Sequence, residues 1–120
     1  MSITIKSNSL KTYRTSHGDW QDDIKCGKYR NTKEGNVDTR IGFATFTLLS
    51  DDMSKVNGGI VTQVEFKCSF GSSGNGNDAT KTLNIHKAPN YTSTATGNGE
   101  NLIGDKIGTI SGKNMYSGKN

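Results

Sequence analysis

Proline occurs once in this chain of 120 residues and cysteine only twice, and aromatic residues make up just 8% of it. Each shortage excludes something. No apolar run approaches the roughly 20 residues that a membrane-spanning helix requires, so membrane insertion is not expected. The two cysteines, Cys26 and Cys68, lie far apart and form neither a CxxC pair nor a zinc-ligand pattern. Two readings of them stay open: reduced thiols buried as small hydrophobes, or a disulfide pinning two strands. Scarce alanine and a hydrophobic share of 30% speak against a helical bundle. A chain of this length can enclose one core, so a single domain over residues 1–120 is expected, with modest stability.

Basic charge is present but not concentrated. The net charge is +4, yet the lysines are spread from Lys6 to Lys119 with no run of three. Charge distributed this way solubilises a surface and does not mark a nucleic-acid footprint. The opening residues, MSITIKSNSLKTYR, contain no apolar run of the secretory kind. Three routes stay open: action inside the cell that makes it, exit by virion assembly and lysis, or a leader already trimmed; the setting expected is a virion tail or an extracellular surface.

The chain does hold 15 glycines and a series of alternating apolar and polar residues. Alternation with a period of two marks a strand with one dry and one wet face, because successive side chains point to opposite sides. Residues 2–6 alternate weakly about Ile3 and Ile5, and residues 10–13 continue them. Residues 16–23, SHGDWQDD, read as a polar loop carrying Trp20. Residues 24–29 read as a short strand with Ile24 and Cys26 inward, followed by a polar loop over 30–38. Residues 39–49, TRIGFATFTLL, are apolar on both sides: Ile41, Phe43 and Leu49 on one, Ala44, Phe46 and Leu48 on the other. Such a strand is expected at the centre of a sheet, covered on both faces.

Residues 50–57 predict a helical turn with Ser50 as its cap, Asp51 and Asp52 in the first turn, and Gly58-Gly59 as its stop. The clearest ribbon follows, IVTQVEFKCSF over 60–70. Its alternation predicts a strand with Ile60, Thr62, Val64, Phe66, Cys68 and Phe70 in the core. On that expectation Phe66→Ala costs about 3–5 kcal/mol. A Gly/Ser/Asn loop spans 71–79, and residues 80–87 alternate again with Leu83 and Ile85 inward. A polar connection covers 88–101, and residues 102–103 and 106–111 supply one more strand. Six or seven short strands define an all-β chain, expected as an antiparallel two-sheet β-sandwich. The last residues, GKNMYSGKN, hold no closing strand, which suggests one module of a longer chain or a sheet edge completed by another subunit.

Catalytic patterns are sparse, and an enzyme is not expected. His17 and His86 stand alone in sequence, outside HExxH-type or nucleophile-elbow motifs. His17 with Asp19, Asp22 and Asp23 could converge on acid–base chemistry only if the fold opposed the carboxylates across a cleft. Asp51-Asp52 and Asn75-Gly76-Asn77-Asp78 offer hard oxygens of the kind calcium takes. The same residues are ordinary turn formers, so a structural calcium is weighed against a plain turn. Trp20 beside Asp19, Gln21 and Asp22 has the composition of a sugar site, in which an aromatic face stacks on a pyranose while polar neighbours orient hydroxyls. Tyr29 and Tyr91 are candidate additions. The alternative is that Trp20 folds inward to bury its large apolar area.

The order GKYR, loop, RIGFATFTL, short turn, GGIVTQVEFKCSF, Gly/Ser/Asn loop, TKTLNIHKA resembles the jelly-roll modules of phage-tail and extracellular proteins, related in pattern to the DNRLRE and carbohydrate-binding families. Arg40, Phe46 and Leu48 resemble that pattern's first strand, and Ile60, Val64 and Phe66 occupy its second; the alanine of the second strand is absent. The resemblance implies a non-enzymatic accessory domain that displays, attaches to or binds polysaccharide. The expected function is structural attachment in a phage tail, baseplate or cell-surface assembly with carbohydrate recognition. The alternative is a purely structural subunit that oligomerises through its sheet edges.

Overall fold

A computed structural model of the chain describes residues 3–31, 33, 35–56, 58–68 and 82–111. They are mostly strands, paired antiparallel into one sheet of four and one of two. The chain divides into two compact units, Met1–Thr62 with Asn90–Leu102, and Gln63–Pro89 with Ile103–Asn120.

The first unit is built on β1 (Ser9–Arg14), β2 (Asp19–Gln21), β3 (Gly27–Asn31) and β4 (Asn36–Thr45). Their order across the sheet is β2-β1-β4-β3. Strands β1 and β2 form a hairpin in which Tyr13 faces Trp20 and Arg14 faces Asp19. Across the other side of β1, Tyr13 faces Ile41, Thr12 faces Gly42 and Lys11 faces Phe43. Alternation therefore places Tyr13, Trp20, Ile41 and Phe43 on one face of the sheet and Thr12, Gly42, Arg14 and Arg40 on the other.

That order imposes a crossing. Strands β2 and β3 follow one another in the chain but occupy opposite edges, so residues 22–26 must pass over β1 and β4. They do so above the Thr12–Gly42 pair. Thr12 is fully buried; its Oγ1 donates to Asp23 O at 2.8 Å and accepts from Lys25 N at 2.8 Å. One hydroxyl thus satisfies both backbone groups of the crossing segment that turn inward. Gly42 supplies the room: a Cβ there would lie 2.7 Å from Cys26 Sγ and from Ile24 Cγ1.

Residues 90–102 lie against the opposite face and end in a short 3-10 turn, Gly99–Leu102. Gly99 is buried against the Tyr13 ring, where a Cβ would come within 2.6 Å of Cγ. Tyr13 and Phe43, each 5% exposed, are the buried hydrophobic core among the described residues. Helix α1 (Ser50–Val56) forms where the acidic first turn predicts it. Its start falls one residue earlier than expected, because Asp52 Oδ2 reaches back to accept the Leu49 N–H at 3.2 Å.

The second unit pairs β5 (Thr82–His86) with β6 (Lys106–Ser111), Leu83 facing Ile110 and Ile85 facing Gly108. Leu83, Ile85 and Ile110 are half-buried while Thr82, Asn84 and His86 are exposed, as the alternation predicts. Backbone bonds Lys87 N–H to Asp105 O (2.9 Å) and Gly104 N–H to Lys87 O (2.8 Å) carry the pairing past the strand ends.

Several expectations are corrected. The ribbon 60–70 is not a strand over its described part, 60–68. Ile60 is 91% exposed, Val64 87% and Phe66 49%; Phe70 lies outside the described residues. Alternation specifies that one side of a ribbon wants burial, but strand pairing also needs an adjoining edge, and among the described residues 60–68 joins no sheet. The cost expected for Phe66→Ala falls accordingly. Residues 3–7 are likewise unpaired. Trp20 sits in β2 and not in a loop, since Tyr13 across the hairpin gives it an apolar partner. The strand expected over 24–29 begins at Gly27, and Ile24 and Cys26 belong to the crossing segment, partly open to solvent. The loop expected over 30–38 is instead largely the β3–β4 pair, with Asn31 facing Asn36. Strand β4 is central as predicted but ends at Thr45, leaving Phe46, Leu48 and Leu49 exposed. Cys26 and Cys68 are thiols and form no disulfide, which is the first of the two readings, but Cys26 is exposed and Cys68 half-buried, so the burial expected of them is not found.

The crossing carries a direct prediction. Gly42→Ala forces Ile24 and Cys26 off the sheet and lowers stability by about 1–3 kcal/mol. Thr12→Val strands the Asp23 carbonyl and the Lys25 amide and costs a similar amount, about 1–3 kcal/mol. Urea unfolding of both variants beside the parent chain measures the loss.

Candidate functional site

Four aromatic rings meet on the β2-β1-β4 face. Trp20 lies 5.2 Å from Tyr13 at 52° and 5.3 Å from Phe43 at 48°. Tyr91, delivered by residues 90–102, stacks on Phe43 at 4.5 Å and 20°, and on Trp20 at 5.9 Å and 28°. These separations lie in or near the range where ring quadrupoles add to area burial. The indole N–H donates to Gly97 O at 2.9 Å, so the polar end of Trp20 is occupied from within the unit. The Tyr91 hydroxyl is buried, and Ser9 faces it without completing a hydrogen bond of ordinary geometry. Burial pushes its pKa up.

Of the six residues proposed as a sugar site, the fold brings Trp20 and Tyr91 together. Asp19 and Gln21 flank Trp20 on the same strand and therefore belong to the opposite face. Asp19 is held there by Arg14, whose Nε and Nη2 donate to its two carboxylate oxygens at 2.8 and 2.6 Å. That bidentate bond keeps the Asp19 pKa below the ordinary carboxylate value. Asp22, just past β2, pairs with Lys11. This contact raises the Lys11 pKa. Tyr29 falls on β3 at the far edge, its backbone opposite Asp38. Three strand spacings, about 14 Å, separate that strand from β2.

Asp23 and the two histidines also have local contacts. Asp23 Oδ2 contacts Lys25 Nζ at 2.8 Å, which lowers the Asp23 pKa. His17 Nδ1 contacts the neighbouring Ser16 Oγ at 2.7 Å, and His86 Nδ1 donates to Gly104 O at 2.8 Å. Among the described residues no group of three or more His, Cys, Asp or Glu side chains could hold a metal ion. Asp51 and Asp52 lie in the first turn of α1, and the 75–78 stretch lies outside the described residues. Burial raises the pKa of the Cys68 thiol, away from the reactive thiolate. No helix among the described residues is long and apolar enough to cross a membrane.

One charged group escaped sequence reasoning. Asp38 is only 2% exposed. Its Oδ1 accepts Ser16 N–H at 3.2 Å and its Oδ2 accepts Arg40 Nε–H at 3.1 Å. Arg40 in turn faces Arg14 directly across β1 and β4. Two like charges in that position repel, and Asp38 and Asp19 flank them as counter-charges. The signal was present in the sequence as alternating charge, Asp38-x-Arg40 beside Arg14-x4-Asp19, but only the register reveals that the four share a face.

Comparison with protein-family models, with curated proteins and with solved structures found no match to this chain.

Burial works to raise the Asp38 pKa, but the Ser16 and Arg40 hydrogen bonds outweigh it and hold the group below its ordinary value of 3.8. A lowered folded-state pKa contributes stability above the unfolded value and loses it as pH falls through the folded one. Asp38→Asn therefore costs on the order of 2 kcal/mol at neutral pH, and the difference from the parent chain narrows below about pH 4. Thermal unfolding from pH 7 to pH 2 checks both the loss and its disappearance in acid.

Proposed function

We propose that this chain is a non-enzymatic structural and attachment module of a larger assembly, of the phage-tail, baseplate or cell-surface kind. The observation that carries the reading is the exposure of Ile60, Val61 and Val64 within an alternating segment that makes no strand of its own. Apolar surface left in water is costly, at roughly 25 cal/mol per Å², and consecutive exposed apolar residues mark an interaction surface more often than an ordinary one. Strand addition is the recognition mode such a segment suits: backbone bonds supply affinity and alternate side chains supply specificity. Antiparallel pairing throughout both sheets agrees with a jelly-roll sandwich, which belongs to the same proposal.

Carbohydrate recognition is the second reading. The stacked Trp20–Tyr91 pair favours it, with the Lys11–Asp22 ion pair close enough for Lys11 and Tyr91 to interact electrostatically. Trp20 also packs against Tyr13 and Phe43, so Trp20→Ala removes core and costs about 3–5 kcal/mol. Asp22 is the cleaner probe because its side chain is 84% exposed.

Two measurements separate the readings. Hydrogen exchange on the dilute chain should find the amides of residues 60–68 unprotected; protection there in a monomer means the chain covers the segment itself, and the assembly reading falls. Binding to a panel of bacterial cell-wall polysaccharides should weaken about tenfold or more in Asp22→Ala with the unfolding temperature unchanged. Equal binding by that variant, or none by the parent, ends the carbohydrate reading.

A further inference from the structure

Strand β1 sends Ser9, Lys11 and Tyr13 to the aromatic face, since alternate residues of a strand share a side. Lys11 stands opposite Phe43 in the β1–β4 ladder, and Phe43 carries the Tyr91 ring stacked at 4.5 Å. Asp22, two residues beyond Trp20, comes back to that side, where Lys11 Nζ donates to its Oδ1. A donor and an acceptor in direct contact thus lie beside the stacked Trp20–Tyr91 rings. Asp22 is exposed and Lys11 half-buried, and each of the two rings is half-buried, so all four reach the surface.

We propose that the Lys11–Asp22 pair selects the sugar: a neutral glycan unit with hydroxyls on adjacent ring carbons, its apolar face against Trp20 and Tyr91. This selection deepens the carbohydrate reading and rests on it. Adjacent gauche hydroxyls sit about one hydrogen-bond length apart, the spacing of an ammonium and a carboxylate oxygen in contact. One hydroxyl donates to the Asp22 carboxylate and its neighbour accepts from Lys11 Nζ, and both bonds are charge-assisted. Each partner also turns away a rival class. Asp22 already neutralises Lys11, so an acidic sugar gains no net attraction and brings its carboxylate near a like charge. An amino sugar meets the same penalty at Lys11. A lone lysine beside the rings would do the reverse and favour acidic glycans. Engaging the pair disturbs the fold little, because exposed ion pairs contribute little to stability.

The intact chain is tested against the cell-wall polysaccharides, with polygalacturonate and chitosan added as acidic and amino-bearing probes. The members that bind should be neutral, and polygalacturonate and chitosan should bind about tenfold more weakly or not at all. Binding should change less than about twofold between low and high salt, since the pair presents no net charge to screen. Mild periodate, which cleaves the ring bond between carbons bearing adjacent hydroxyls, should abolish binding of the treated polysaccharide. Lys11→Met and Asp22→Asn should each weaken binding about tenfold, with unfolding temperatures matching the parent. Should Lys11→Met fail to fold, the exposed Asp22→Asn decides alone. Binding that survives periodate, falls steeply with salt or prefers an acidic chain overturns the selection and leaves a carbohydrate site of another class. Undiminished binding by a folded Lys11→Met overturns it in the same way. A panel in which no polysaccharide binds ends both the selection and the reading beneath it.

Discussion

The crossing of residues 22–26 over the four-stranded sheet is the constraint on which the first unit depends. Consecutive strands usually lie side by side, and here they do not: β2 and β3 hold the two outer positions. The chain must therefore spend five residues on the sheet surface, carrying backbone amides and carbonyls that cannot be left dry and unpaired. Thr12 answers the polar half of that requirement and Gly42 the steric half, and the two face each other across the β1–β4 ladder. A larger residue at 42 or an apolar one at 12 removes the reason for the segment to lie where it does.

With one face of the sheet taken by the crossing, the aromatic residues have the other. Tyr13, Trp20 and Phe43 form a shallow floor, and residues 90–102 close over it with Tyr91 and Gly99. Among the described residues of this unit the sheet buries little aliphatic side chain, so flat rings and a glycine make an effective cover. This economy bears on function. Trp20 contributes its area to the fold first, and whatever surface it shares with Tyr91 is what remains for a ligand.

Sequence reasoning read the elements better than their neighbours. The β5 and β6 ribbons, the α1 turn and the central place of β4 follow from local signals: alternation at 82–86, an acidic first turn, and apolar residues on both sides of 39–45. Trp20 was misplaced because its strand is three residues long and polar on either side, too short for periodicity to register. Its partner Tyr13 is found only through the hairpin. The Arg14–Asp19 and Arg40–Asp38 pairs were invisible for the same reason, since composition does not encode which charges share a face. The proposed sugar site mixed the two faces of one strand, treating as neighbours residues that a pleat sends apart.

The error at 60–68 has a different character. The alternation there is as regular as in β5, yet β5 is paired and 60–68 forms no strand among the described residues. A repeating apolar position states a demand for burial without naming what meets it. In β5 the demand is met by β6, whose Ile110 faces Leu83. At 60–68 no strand meets it among the described residues, and Ile60, Val61 and Val64 are exposed. A strand meant only to be solvated has no use for regular valine and isoleucine, which raise aggregation risk whenever an edge is left bare. A strand meant for a partner needs that apolar face. The expected strand and the proposed attachment surface thus rest on one pattern, the regular apolar positions of this segment.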